Sequence, residues 1–260
     1  MIPLVDMHCH LLAGLDDGPR TMEAALEMCA IAYQEGVRLM AAGAHQNERW
    51  AQVTPALIQD AAHDLEKALA ESGIGMSIFP CAEVTAHPET VENWRAGKLL
   101  SVADRKQYLL LEMPHGVFVD LLPTVRQLRE CGVRPILAHP EREERFLHEP
   151  DAIEAMIDAG CLVQVSSHSV TNPKTPADER ALKDWFRRGI VHVLGSDGHS
   201  PHRRPPHLAA AYRRIAEWVD SAQAERIGSG NGLAIVHGLP LSIPRPVPRG
   251  ARSWWHSLVG

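Results

Sequence analysis

Seven short apolar runs alternate along this chain with longer segments whose apolar residues recur every three or four positions. The runs are Leu4–His10, Leu39–Ala44, Ser77–Val84, Tyr108–Met113, Arg134–His139, Cys161–Ser166 and Val191–Ser196, and they read as strands. The intervening segments Thr21–Glu35, Thr54–Glu71, Val91–Ala96, Phe118–Glu130, Asp151–Ala159, Pro176–Arg188 and Leu208–Ala224 read as helices. Thr21 and the pair Thr54-Pro55 supply helix starts. Gly36, Gly73, Gly132, Gly160 and Gly189 stand where helices should stop. Such regular β–α alternation, with no break in composition, predicts an α/β fold whose parallel sheet closes into a barrel.

Composition narrows the picture. A chain of 260 residues, 45% hydrophobic, suits one large barrel. A single domain is expected over residues 1–240, followed by a Pro- and Arg-rich tail over 241–260 that packs on the barrel or hangs free. The net charge of −6 argues against a nucleic-acid-binding surface, which is usually basic. The five cysteines are scattered, with no CxxC pair, which points to reduced thiols rather than a disulfide framework or zinc ribbon. With no signal-peptide pattern and no long apolar run, a cytoplasmic protein without membrane insertion is expected. The sequence leaves the oligomeric state open, a homo-oligomer included.

The candidate chemistry lies at the strand ends. In His8-Cys9-His10, strand alternation points both imidazoles to one face and the thiol to the other. Two imidazoles about 7 Å apart along a strand can grip one metal ion. Asp16-Asp17-Gly18 follows directly, and His45, Glu83, Glu112, His139, Asp197 and His199 each close a later run. In a parallel barrel these ends share the C-terminal rim, where barrel enzymes place their sites. Mixed imidazole and carboxylate donors suit Zn, Mn or Fe. His8, His10, Asp17, His45, Glu83, Glu112, His139, Asp197 and His199 exceed what one ion needs, so two or three metals are implied. Either Asp16 or Asp17 can coordinate.

The order HxH, DDG, H, E, E, H and DxH resembles the PHP (polymerase and histidinol phosphatase) superfamily. The stretch His8–Pro19, then Ala138-His139-Pro140-Glu141-Arg142, then Ser196-Asp197-Gly198-His199 with Arg204-Pro205-Pro206, is similar to the CpsB/CapC-type metal-dependent bacterial protein-tyrosine phosphatases, from about residue 4 to residue 235. The resemblance implies a distorted (β/α)7 TIM-like barrel, the PHP fold, with three divalent metal ions, most often Mn, with Fe, Zn or Mg as alternatives. It implies that all nine residues named above are metal ligands, with Asp17 preferred over Asp16. It further implies that Arg142 and Arg204 contact phosphate, and that the substrate is phosphotyrosine on the tail of a tyrosine kinase that regulates capsule or exopolysaccharide export. One departure from the pattern is Gly43-Ala44-His45, where many relatives read Thr-Pro-His; the segment Gln46–Trp50 after it is also unusual and bears on substrate access.

The chemistry is coherent on its own terms. Paired metals can share a hydroxide and polarise phosphate oxygens, and the planar fork of arginine matches the equatorial oxygens. A tyrosine leaving group, with a pKa near 10, needs little acid assistance. The thiol route needs Cys and Arg six positions apart, and the residues six beyond the cysteines are Leu15, Glu35, His87, Leu137 and Ser167. Cys9 therefore reads as core. His115 and His168 read as satisfied, pocket-lining histidines. Two rival readings are a small-molecule phosphoesterase of the histidinol-phosphatase kind and a non-catalytic metal-containing regulator.

Overall fold

The computed structural model describes residues 2–248. Seven strands, β1 (Leu4–His10), β2 (Val37–Gln46), β3 (Ser77–Thr85), β4 (Tyr108–Glu112), β5 (Arg134–Ala138), β6 (Leu162–Ser166) and β7 (Val193–Gly195), pair in parallel in sequence order. Around them run α1 (Met22–Gln34), α2 (Pro55–Glu71), α3 (Thr90–Arg95), α4 (Leu122–Glu130), α5 (Glu144–His148), α6 (Asp151–Asp158), α7 (Ser167–Thr171), α8 (Pro176–Arg188), α9 (Ala209–Trp218), α10 (Ser221–Glu225) and α11 (Asn231–Val236). All seven expected strands form, and the architecture is the expected TIM-like α/β barrel.

The local signals act as their chemistry dictates. Thr21, Thr54 and Thr175 each accept a hydrogen bond from the backbone of the first helical turn. The five glycines placed at helix stops all take left-handed backbones, with φ between 69° and 103°. Two helical expectations differ. Residues 118–121 stay outside α4, leaving Val117, Phe118 and Val119 exposed beside the rim. The expected helix over 208–224 breaks at Val219 and Asp220, because the Asp220 carboxylate caps α10 by accepting from Gln223 N at 2.8 Å.

The core has two layers. The outer layer, between sheet and helices, holds Leu4, Cys9, Leu109, Leu111, Leu137, Val163, Val165 and Leu194 with helix residues such as Trp185 and Phe186. The inner layer holds Val5, Met7, Ala41, Leu110, Ile136, Leu162 and Val193. In β1 the inward residues change parity: Val5 and Met7 join the inner layer, and so do His8 and His10, while Cys9 packs outside. A register shift against β2 between Asp6 and Cys9 makes this possible, a bulge that inserts one residue.

β7 and β1 close the barrel at the rim alone. His10 N donates to Gly198 O at 2.8 Å and Asp197 N to His8 O at 2.7 Å. Buried Asp6 reinforces this seam by accepting from His8 N and Ser196 N through one oxygen. The opposite mouth is covered by Ile235 and Val236 of α11, with Leu241 and Ile243 behind them. Tyr108 and Arg134, at strand starts, bond to the carbonyls of Leu239 and Leu241, and Arg188 exchanges two backbone-directed bonds with Val247. The segment as far as Val247 is thus tied to the barrel, and the expected tail from residue 249 on lies outside the described residues. Among the described residues no helix is long and apolar enough to cross a membrane.

Candidate metal centre

The nine candidate ligands converge at the rim. Their donor atoms fall into four overlapping groups: His10, Asp17, His45 and His199; His8, His10 and Asp197; His8, Glu83 and His139; and His45, Glu83 and Glu112. Within each group all donor atoms lie within 4.8 Å of one another. Glu83 is the hub. Its Oε2 lies 3.3 Å from His8 Nε2, 3.1 Å from His10 Nε2 and 3.2 Å from His45 Nδ1, while Oε1 lies 2.8 Å from His139 Nε2. Asp17, half-exposed, stands 3.5 Å from Nε2 of both His45 and His199.

Backbone geometry aims several of these side chains. β1 delivers His8 and His10 through its bulge. His139 and Asp197 follow β5 and β7 in left-handed conformations, at φ 33° and 53°, which turn their side chains back over the barrel mouth. Hydrogen bonds hold both: His139 N donates to Gln164 Oε1 at 3.2 Å, and Asp197 N to His8 O. Gly195 lies against His8, where a Cβ would sit 2.6 Å from His8 Cβ and 2.8 Å from Gln164 Nε2. Any larger residue there would push the imidazole out of place.

Burial alone would keep His8 and His10 neutral, but Glu83, with Asp197 and Asp16, outweighs it and raises both above the ordinary histidine range. The same histidines hold Glu83 well below the usual carboxylate range against the opposing effect of its own burial. His199 moves the other way, to about 4, through burial and the neighbouring His10. His45 Nδ1, close to the carboxylates of Glu83 and Glu112, is buried and makes no hydrogen bond of good geometry among the described residues. So many buried acceptors, gathered around imidazole nitrogens that face each other (His8 Nε2 and His10 Nε2 are 3.2 Å apart), fit divalent cations.

Three supporting residues extend the set read from sequence. Asp16, left ambiguous there, holds His10 from behind: its Oδ2 lies 2.7 Å from His10 Nδ1 and accepts from His45 N, while Oδ1 accepts from Gly18 N. These donors pull its pKa down to about 2 against burial. Gln164 on β6 was missed. Its Oε1 faces His8 Nδ1 at 3.1 Å, so a polar residue sits at an inward position between apolar Val163 and Val165, which is the signal that would have found it. Thr85, also missed, donates to Glu112 Oε1 at 2.5 Å. The pattern of a metal-binding histidine whose other nitrogen meets a carboxylate or carbonyl fixes both tautomer and ring orientation.

Arg142 and Arg204 both reach Oδ2 of Asp197, Arg204 at 2.5 Å, while Arg142 also donates to Ser166 Oγ at 3.3 Å. Both line a cavity of about 910 Å³ that opens above the ligands and is also bordered by His115 and His168. Arg203, next to Arg204 in sequence, is exposed and makes no side-chain bond to this cluster among the described residues.

A family model described as "Capsular polysaccharide synthesis, CpsB/CapC" matches residues 4–237. The chain belongs to the CpsB/CapC family. Among curated members, the tyrosine-protein phosphatase YwqE of Bacillus subtilis is 29% identical over 220 residues, covering 80% of this chain and 82% of that protein. The tyrosine-protein phosphatase CpsB of Streptococcus pneumoniae is 23% identical over 238 residues, covering 90% and 98%. A solved structure from a study of YwqE and CpsB, described as unique metal-dependent tyrosine phosphatases, superposes with a TM-score of 0.86 at 25% identity, covering 95% of this chain and 100% of that one. The CpsB/CapC match thus spans every strand and all nine candidate ligands.

Proposed function

We propose that this protein is a metal-dependent phosphatase that hydrolyses phosphotyrosine on a protein substrate. The observation that carries the reading is the convergence of nine imidazole and carboxylate donors beneath two arginines that face one cavity. Family membership supports it, since both curated relatives named above are tyrosine phosphatases. The donor set, in four overlapping groups, is large enough for three ions, and its mixed imidazole and carboxylate donors suit Mn, Fe or Zn, with manganese the metal that the family resemblance implies. Bound divalent cations would polarise the phosphate oxygens and lower the pKa of water toward neutrality.

The chain's own residues do the rest. Glu83, Asp197, Glu112 and Asp17 supply the negative charge that concentrates cations at the rim. Asp16, Gln164 and Thr85 hold the ligands so that their donor atoms stay convergent. Arg142 and Arg204 reach over Asp197 into the cavity, where their planar groups match the equatorial oxygens of a phosphoryl group. Half-exposed guanidinium groups of this kind can exchange part of their contact with Asp197 for a substrate anion. The family's link to capsular polysaccharide synthesis supports a phosphorylated kinase of that export system as the physiological substrate.

The test is turnover by manganese-loaded protein of p-nitrophenyl phosphate, phosphotyrosyl peptides and histidinol phosphate side by side. Hydrolysis of the phosphotyrosyl peptides with little turnover of histidinol phosphate is expected. The reverse order would assign a small-molecule phosphoesterase instead, and no turnover of any would leave a metal-containing regulator.

A further inference from the structure

A second cavity, of about 760 Å³, opens beside the metal centre on the other side of His45 and Glu112. The two cavities share three lining residues, His45, Glu112 and His115, so the candidate metal centre sits at their junction. Each cavity lies in the range of about 300–1,000 Å³ that accommodates a whole drug-sized ligand. A single phosphotyrosine therefore fills at most one. Both arginines line the first cavity and neither lines the second, which places the phosphoryl group toward the first.

The second cavity has an apolar wall built from Trp50, Val53, Val84, Ala86, Leu99 and Pro114, while charged Glu48, Arg49, Glu89 and Lys98 also border it. Trp50 and Val53 lie in the β2–α2 loop, Val84 in β3, Ala86 in the β3–α3 loop, Leu99 between α3 and β4 and Pro114 just after β4, and buried bonds fix several of these segments. Gln46 holds three backbone groups, donating to Val53 O and Lys98 O and accepting from Leu100 N. Asn47 caps the turn that carries Trp50 by accepting from Trp50 N at 3.2 Å, and its amide donates to Thr85 Oγ1 at 3.1 Å. Thr85 in turn donates to Glu112. The apolar wall is thus in place before any ligand arrives, and an unbroken chain of bonds sets its distance from a candidate metal ligand. Preorganisation of this kind turns apolar burial into affinity because little ordering remains to be done on binding.

We infer that this second cavity is a subsite for the apolar side chain that flanks the phosphotyrosine of a polypeptide substrate. The inference rests on the phosphotyrosine reading above. A polypeptide crossing the rim places its phosphorylated side chain at the junction and its neighbour in the second cavity. A small phosphoester has no group to put there.

The experiment compares two phosphotyrosyl peptides, one with leucine and one with glycine on both sides of the phosphotyrosine, using manganese-loaded protein. Wild type should show kcat/KM about tenfold higher for the leucine peptide, the effect of burying one such side chain. Trp50→Ala removes one wall. Asn93→Tyr adds bulk from another lining position, one that is partly exposed and makes no side-chain hydrogen bond among the described residues. Loss of the leucine preference in either variant supports the subsite. Equal use of both peptides by wild type, or a preference retained by both variants, overturns it and leaves the phosphotyrosine reading standing. Turnover of histidinol phosphate with none of either peptide removes both.

Discussion

The side chain of Gln164 ties His8 to His139 across the barrel mouth. Its Oε1 accepts from the backbone N–H of His139, which can only donate, and this fixes which way the amide faces. The same oxygen lies 3.1 Å from His8 Nδ1, so that nitrogen carries a proton and Nε2, facing Glu83 and His10, is the nitrogen left to a metal ion. Replacing Gln164 with leucine keeps the volume and removes the acceptor. Metal affinity measured by calorimetric titration should fall about 10–100-fold. Unchanged affinity would show that packing alone orients His8.

Arg142 and Arg204 bracket Asp197, and both line the larger cavity. Arg142→Ala and Arg204→Ala should each lower kcat for p-nitrophenyl phosphate about 10²–10³-fold. Metal content by elemental analysis should stay at the wild-type level. A loss of metal that parallels the loss of turnover would make these arginines supports of Asp197 rather than contacts of the phosphoryl group.

Cys9 is the thiol that a phosphotyrosine phosphatase invites one to suspect. It is fully buried in the outer layer, its Sγ faces Gly198 O at 3.5 Å, and burial pushes its pKa well above the ordinary thiol range. Cys9→Ala should retain turnover within about twofold, at a stability cost of about 1 kcal/mol for the small cavity left behind. Iodoacetamide should leave wild-type activity intact. Loss of activity by either route would return the cysteine to the mechanism.

His192, on the far side of the barrel from the rim, makes the fold sensitive to acid. Burial, with Arg134 nearby, holds its pKa down to about 3, and its Nδ1 accepts from Val163 N at 2.9 Å. In the unfolded chain it titrates near 6.5. Above that pH both states are neutral and the fold suffers no penalty. As pH falls, the unfolded state takes the proton first, so stability declines progressively toward pH 3. At about pH 5 the loss amounts to about 2 kcal/mol. His192→Asn keeps an acceptor for Val163 and removes the titration. Urea midpoints at about pH 7.5 and about pH 5 should therefore differ less in the variant than in wild type.

The barrel was legible in the sequence because each strand is a short apolar run that ends in a polar residue, a contrast that survives without knowledge of tertiary contacts. The same contrast singled out His45, Glu83, Glu112 and His139. What escaped was whatever depends on neighbours far along the chain. Gln164 lies 156 positions from His8, and nothing local marks its partner. The helices α5 and α7, of five residues each, are too short for an apolar repeat to show. Asp16 and Asp17 are indistinguishable as a pair of letters. They separate only when Asp16 meets the loop N–H of Gly18 and the ring of His10, leaving Asp17 to face His45 and His199.

The bulge in β1 makes the centre sensitive to register as well as identity. Below it Val5 and Met7 seal the barrel interior, and above it His8 and His10 enter the same interior from positions of the opposite parity. Straightening the bulge at constant length would leave the His-Cys-His tripeptide and the strand's character unaltered. It would also restore plain alternation from Val5 and Met7 and present the thiol of Cys9, in place of both imidazoles, to Glu83. A search by motif would pass such a chain as intact, although its register had erased the site.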